Sequence, residues 1–405
     1  MKNQNYKQTE IGEIPTTWNI GKLKDYVLIK GRIGWKGLKK SEYVLDGYAI
    51  INGQQLLHDR IIWEEVGRIT KERYLESPEI MLQDEDIVMT KDGTLGKTAY
   101  IPKLKEPTSV ASGIFVIRNQ SNLLDQRYLY QYFQSPFFKN LINSRVEGAV
   151  IPHLYQKDIN ELLVPLPTIN EQQQIASNLS SLDDKIELNR RMNKTLEEIG
   201  KALFKQWFVD DTEKSQQIEL QNIVEFNPRE PLSKGQTATY LEMKDLPEQG
   251  MWVYSEVQKP YGGGTKFKNG DTLMARITPC LENGKSGFVN FLDTNELAFG
   301  STEYIVLRPK EKAYEEFVYY LVRDEEFREF AIRSMVGSSG RQRVQTDAIK
   351  HYRLSLPSND IAERFHNVLE PIFGQIKSNA IENEKLSAIR DSLLPRLMSG
   401  KLRVN

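Results

Sequence analysis

A single cysteine, Cys280, occurs in 405 residues. One thiol cannot close an internal disulfide or supply a Cys–Cys metal pair. A disulfide scaffold and a cysteine-based zinc site are therefore excluded, and a reducing cytoplasm is the expected compartment. Histidine is scarce as well. His58, His153, His351 and His366 are scattered, without the His-Glu-x-x-His spacing of a zinc hydrolase, so no metal site is expected. No run of about 18 apolar residues is present, which argues against a transmembrane helix and a membrane partner. Met1 to Glu10 lacks the apolar core of a signal peptide. A charge excess is also missing: 54 Lys plus Arg stand against 55 Asp plus Glu, for a net charge of −1. Any nucleic-acid site must then be a local patch, because no global positive field exists. The remaining composition, 39% hydrophobic, 10% aromatic and 27% charged, is that of a globular chain. Its length suggests two or three domains.

An internal duplication organises the chain. Shifted by 190 positions, Phe115-Val116-Ile117-Arg118 falls on Ile305-Val306-Leu307-Arg308, and Leu166-Pro167 falls on Leu356-Pro357. No gap is needed from Ile159 to Trp207. Upstream, Asp86-Ile-Val-Met89 matches Asp271-Thr-Leu-Met274 with a slightly different shift, as loops of unequal length would give. Each copy starts with short β-rich runs between Gly, Pro, Asn and Asp turns: Ala49 to Ile51, Ile87 to Met89 and Ile114 to Ile117, then Thr272 to Met274 and Tyr304 to Leu307. A short helix is expected near Tyr128 to Leu141, with its counterpart near Tyr314 to Ile332. A long helix follows in each copy, from about Asn170 to Phe208 and from Pro357 to about Met398. Asn170 and Ser358 or Asn359 are the candidate N-caps, and Gly400 is the candidate stop.

Both long helices carry a heptad seam. In the first, Leu179, Leu182, Ile186, Asn189, Asn193, Leu196, Gly200, Leu203 and Trp207 alternate in steps of three and four. In the second, Leu369, Ile372, Ile376, Asn379, Asn383, Leu386, Arg390, Leu393 and Leu397 do the same. Two asparagines recur at the same places. Buried in a seam, they cost stability but fix register, and in an antiparallel pair they would face each other. Some 38 helical residues would reach about 57 Å, more than a turn of B-DNA. The alternative is two amphipathic helices, each packed on its own domain.

No catalytic constellation emerges. Gly96-Lys97-Thr98 and Gly284-Lys285-Ser286 resemble the end of a P-loop, but Lys91 and Pro279 stand where its earlier glycine belongs. Gly262-Gly263-Gly264 has no βαβ unit after it. Glu242-x-Lys244 lacks an acidic partner, Asn227-Pro228-Arg229 lacks the rest of an amino-methyltransferase motif, and Cys280 has no activating neighbour. Polar and basic clusters remain: Thr90, Lys91, Lys97, Ser109, Ser112, Arg145 and His153 in the first copy, and Lys266, Arg276, Lys285, Ser301, Thr302, Ser338, Ser339, Arg341, Gln342 and Arg343 in the second. Such side chains read base edges or hold phosphates, and glycine lets the backbone come close. From composition alone, solvated surface loops are the competing reading. A free-standing DNA enzyme and a coiled-coil adaptor without nucleic acid are the competing functions.

The chain resembles the specificity subunits of type I restriction-modification enzymes over nearly its whole length. The resemblance rests on Ile11-Gly-Glu-Ile-Pro15 with Trp18, on Asp86-Ile-Val-Met89 with Gly93-x-x-Gly-Lys97, on Val164-Pro-Leu-Pro167 followed by Glu171-Gln-Gln-Gln-Ile175, and on the duplication. The second copy departs from it: Ser355-Leu-Pro357 and Ala362-Glu-Arg-Phe365 replace the glutamine element, and no Ile-Pro-x-x-Trp entry precedes it. The resemblance implies an α+β fold with pseudo-two-fold duplication. Target recognition domains would occupy 1–167 and 210–357, and an antiparallel coiled coil would be made by 168–209 and 358–405. It further implies a non-catalytic subunit reading a bipartite, asymmetric site on double-stranded DNA, with the coiled coil setting the half-site spacing. Two methyltransferase subunits would dock on it and restriction subunits would join them. S-adenosylmethionine, ATP and magnesium would sit on those partners, none on this chain.

Overall fold

The computed structural model describes residues 6–32, 37–57, 59–146, 153–210, 216–338, 340–356 and 358–404, with the side chains of 144–146, 216 and 356 excepted. The chain divides into two compact units. One comprises Met1–Asp184 with Leu386–Asn405, and the other comprises Lys185–Lys385.

In the first unit a four-stranded sheet runs in the order Thr98–Tyr100, Ile87–Thr90, Ile114–Asn119, Val27–Gly31, all antiparallel. Ile87, Val88, Met89 and Thr90 are buried on both faces, which explains the unbroken apolar run in place of alternation. A second sheet pairs Thr108–Val110 in parallel with the end of Tyr43–Ile51, which pairs in turn with Gly67–Ile69. The second unit rebuilds the first sheet in the same order, with Ser286–Phe288, Thr272–Ala275, Tyr304–Pro309 and Val224–Phe226. Its parallel pair, Thr237–Leu241 with Ala298–Gly300, matches as well. The buried ion pair is also copied. Arg118 donates from Nε and Nη2 to Asp86 at 2.7 and 2.6 Å, and Arg308 donates likewise to Asp271 at 2.7 and 2.7 Å.

The single short helix expected in each copy is two helices. Gln126–Gln134 and Pro136–Val146 break at Pro136, which has no N–H for the helical ladder and forces Ser135 to ψ 151. Glu315–Arg323 and Glu325–Arg333 break at Asp324, whose extended backbone frees its carboxylate to cap Glu326 and Phe327.

The long helices span Ile169–Phe204, continued by a π-helical turn at Lys205–Asp210, and Asn359–Met398. The first is capped by Thr168, not Asn170: Thr168 Oγ1 accepts from Glu171 N at 3.3 Å. Gly400, at φ +67, ends the second. The seam is present, and both helices also enter the cores, but not each on its own copy: each core takes the start of one helix and the end of the other. Ile175 and Leu179 with Leu394 and Leu397 enter the core of the first unit beside Trp18, Tyr128 and Phe133. Phe204, Phe208, Phe365 and Phe373 enter the aromatic core of the second, with the Phe208 ring tilted against Phe317 at 4.7 Å and edge-on to Phe365 at 4.8 Å. Between these stretches lies the polar seam. In the second unit Asn189 Nδ2 donates to Asn383 Oδ1 at 3.0 Å and to Glu382 Oε2 at 2.7 Å. Asn379 Nδ2 donates to Asn193 Oδ1 at 2.7 Å, and Asn193 Nδ2 donates to the Ile376 carbonyl at 3.2 Å. The pairing is antiparallel, since 189 meets 383 and 193 meets 379. In the first unit Asp183 meets Arg390 at 3.0 Å in the same sense. Among the described residues no helix is long and apolar enough to cross a membrane.

Candidate nucleic-acid interface

The polar clusters of the two copies gather at matching places, at the exit of the central strand. In the first unit Lys91 N donates to the Gly113 carbonyl at 2.9 Å, and Leu154 N donates to the Lys91 carbonyl at 2.9 Å. Thr90 N donates to the Lys97 carbonyl at 2.9 Å, and Asp92 bridges His153. In the second unit Arg276 N donates to the Glu303 carbonyl at 2.9 Å, Val344 N to the Arg276 carbonyl at 2.8 Å and Ala275 N to the Lys285 carbonyl at 3.0 Å; Ile277 bridges Arg343. The same backbone bonds therefore fix Lys91, Lys97, Ser112 and His153 on one side, and Arg276, Lys285, Thr302 and Arg343 on the other. Three separate sequence segments meet at each place.

The side chains differ in freedom. The Lys91 ammonium lies 5.2 Å from the Phe115 ring centroid. His153 Nδ1 meets Asp92 Oδ1, and its ring packs edge-on against Tyr155 at 4.6 Å. Arg343 donates from Nε to both oxygens of Glu303 at 3.0 and 2.9 Å and from Nη2 at 2.7 Å. That carboxylate raises the guanidinium above its ordinary range, first by hydrogen bonding and then by charge. The Arg276 Nη2 donates to the Val344 carbonyl at 3.1 Å, and Lys285 Nζ to the Met243 carbonyl at 3.0 Å. Thr302, Ser338 and Arg341 are exposed, and Gln342 is half-buried.

Other candidates are held by the scaffold. Thr90 is buried, donates to the Thr94 carbonyl at 2.5 Å and accepts from Lys97 N at 3.0 Å, so it pins the loop that carries Lys97. Ser109 is buried and accepts from Arg32 Nη2 at 3.3 Å. Lys266 donates to the Glu230 and Leu232 carbonyls at 2.7 and 2.9 Å. Ser301 Oγ accepts from Glu303 N at 3.1 Å and shapes its loop. The Arg145 side chain and Ser339 lie outside the described residues, as does His58.

Asp92, part of the polar run Thr90-Lys91-Asp92-Gly93, holds His153, and Glu303 holds Arg343. Glu303 follows Ser301-Thr302 with no motif to mark it. The motif residues of the first copy also gain a physical role. The indole N–H of Trp18 donates to Glu171 Oε2 at 3.1 Å, and Arg403 Nη2 donates to the same oxygen at 3.0 Å. Gln172 accepts from Asp125 N at 2.9 Å and donates to the Leu123 and Pro167 carbonyls at 3.0 Å each. These groups lock the start of the first long helix to the β-rich part of its unit.

Among the described residues no group of three or more His, Cys, Asp or Glu could hold a metal ion. Glu242 is tied up by Lys244 at 2.8 Å and Lys259 at 3.2 Å, and Cys280 packs half-buried against the second unit's smaller core.

Fold and site together define a duplicated α+β protein that carries one polar constellation in each copy on a matching backbone frame. The chain belongs to the type I restriction modification DNA specificity family: that domain matches residues 15–198 and again 214–389. The type I restriction enzyme MjaIX specificity subunit of Methanocaldococcus jannaschii is 26% identical over 436 residues, covering 98% of this chain and 96% of that one. The HindI specificity subunit of Haemophilus influenzae is 24% identical over 392 residues, covering 76% and 84%. The crystal structure of the S subunit of a type I system from M. genitalium shares the fold, with a TM-score of 0.57 at 17% identity over 98% of this chain and 97% of that one.

Proposed function

We propose that this specificity subunit reads a bipartite, asymmetric site on double-stranded DNA, one half with residues 1–167 and the other with 210–357. The segments 168–209 and 358–405 act as the ruler between the halves. The carrying observation is the repeated constellation: one backbone frame bears Lys91, Lys97, Ser112 and His153 in one copy and Arg276, Lys285, Thr302 and Arg343 in the other. Equivalent frames would address equivalent places on two half-sites, and different side chains would ask for different bases. Arg341, Gln342 and Ser338 extend the second set. The asparagine layers support a ruler, because a seam fixed in register cannot slide.

Two methyltransferase subunits would dock, one per copy, with restriction subunits joining through them. S-adenosylmethionine, ATP and magnesium belong to those partners in this reading, which places the complex in the cytoplasm. The test is a footprint of the full chain assembled with its methyltransferase subunit. Two protected half-sites separated by an open spacer are expected, and one continuous footprint would refute the reading. The logarithm of affinity should fall linearly with the logarithm of salt concentration, since phosphate contacts release counterions.

A further inference from the structure

The two flanking side chains, Arg343 and His153, are not held alike. A guanidinium has two edges that can donate paired, parallel hydrogen bonds. Glu303 takes the Nε/Nη2 edge of Arg343, with contacts of 2.9 and 2.7 Å among them. This fixes the plane of the group and leaves the edge made by Nη1 and Nη2 presented. Among the described residues Nη1 donates only to the Arg341 carbonyl, at a long 3.4 Å. The Arg343 side chain keeps 41% of its surface exposed, while Glu303 keeps 23%. A planar, pre-oriented pair of N–H donors is the partner of guanine O6 and N7 in the major groove. At the matching place in the first unit, Asp92 takes Nδ1 of His153 and Tyr155 flanks the ring, so a single ring nitrogen, Nε2, is left to present. One nitrogen cannot make the paired contact that singles out guanine.

We propose that Arg343 is a guanine-reading residue of the second half-site, with Glu303 as its positioning residue, and that His153 with Asp92 is the counterpart that makes the first half-site differ at the equivalent base pair. The inference rests on the bipartite reading above. It assigns to each carboxylate the orientation of the side chain it holds, not the neutralisation of surplus charge. The side chain of Arg343 also has no other acidic partner among the described residues, so Glu303 is the carboxylate that fixes its plane.

The full chain, assembled with its methyltransferase subunit, is selected against a duplex library of random sequence, for the wild type and for Arg343→Ala, Arg343→Lys, Glu303→Gln and His153→Ala. The wild type should yield a two-part motif with a guanine in one half. Arg343→Ala should cut discrimination at that one guanine by about 5- to 150-fold and leave the other half unchanged. Arg343→Lys keeps the charge but not the fork, so it should retain overall affinity and still lose the guanine preference. Glu303→Gln should weaken the same position and no other. His153→Ala should change only the opposite half. A Lys variant that keeps the preference would overturn the proposal, and so would an Ala variant that weakens all sequences equally, as a phosphate contact would. A wild type that selects no two-part motif removes the bipartite reading itself. A two-part motif indifferent to Arg343→Ala removes only the inference about this arginine.

Discussion

Glu171→Ala isolates what the Glu-Gln-Gln-Gln element does. Its carboxylate is 8% exposed and serves two donors, the indole N–H of Trp18, itself 1% exposed, and the guanidinium of Arg403. Alanine leaves the indole N–H in a cavity without an acceptor. Stranding a buried donor costs about 1–3 kcal/mol. Losing a partly exposed ion pair adds about 1 kcal/mol at most, because the Arg403 side chain keeps 31% exposure and water screens it. The sum is about 1–4 kcal/mol, a large part of the roughly 5–15 kcal/mol that holds a domain folded. For a unit of this size the melting temperature should fall by roughly 2–16 °C, measured by scanning calorimetry. Glu171→Gln keeps an acceptor for the indole and loses only the charge, so its fall should be at most roughly 2–4 °C. A Gln variant as unstable as the Ala variant would refute the indole argument. An Ala variant that melts with the wild type would refute the whole account.

Asp86→Ala should destabilise the first unit by about 3–5 kcal/mol, since it leaves the largely buried Arg118 without its bidentate partner, and Asp271→Ala should cost the second unit less, since Glu230 still pairs with Arg308; urea titration checks both. The double substitution Asn193→Leu with Asn379→Leu should raise the melting temperature yet loosen register, seen as self-association in sedimentation, because an apolar layer tolerates sliding. Burial and the neighbouring Glu316 push the Glu315 carboxyl up to about 7, above its ordinary 4.5. The unfolded chain then ionises first as pH rises, so stability should decline between about pH 4.5 and 7 and level off beyond. Glu315→Gln should flatten that decline and add about 1–2 kcal/mol at pH 7.5 after allowing for partial solvent exposure; melting curves across pH test the sign.

Local patterns carried far along this chain. Periodicity is a property of residues close in sequence, so the heptad steps, the Gly400 stop and the buried run Ile87 to Met89 were legible without coordinates. The duplication carried the rest of the architecture, because a repeated pattern implies a repeated frame. Capping was less legible: Thr168 and Asn170 are both good caps, and only the bond to Glu171 N chooses between them. The break at Pro136 is legible in the residue itself, because proline cannot continue the helical ladder.

The residues themselves dictated two copies, each a β-rich part followed by a long amphipathic helix, since that information is local and additive. Tertiary structure alone decided which side chain meets which carboxylate. Glu303 reaches Arg343 across 40 positions and Asp92 reaches His153 across 61, through loops whose ends are brought together by strand pairing. It also decided that each helix serves a core with its aromatic face and its partner with its asparagines, because one helix surface can satisfy two neighbours only once both are in place. Such pairings depend on distances no linear pattern encodes.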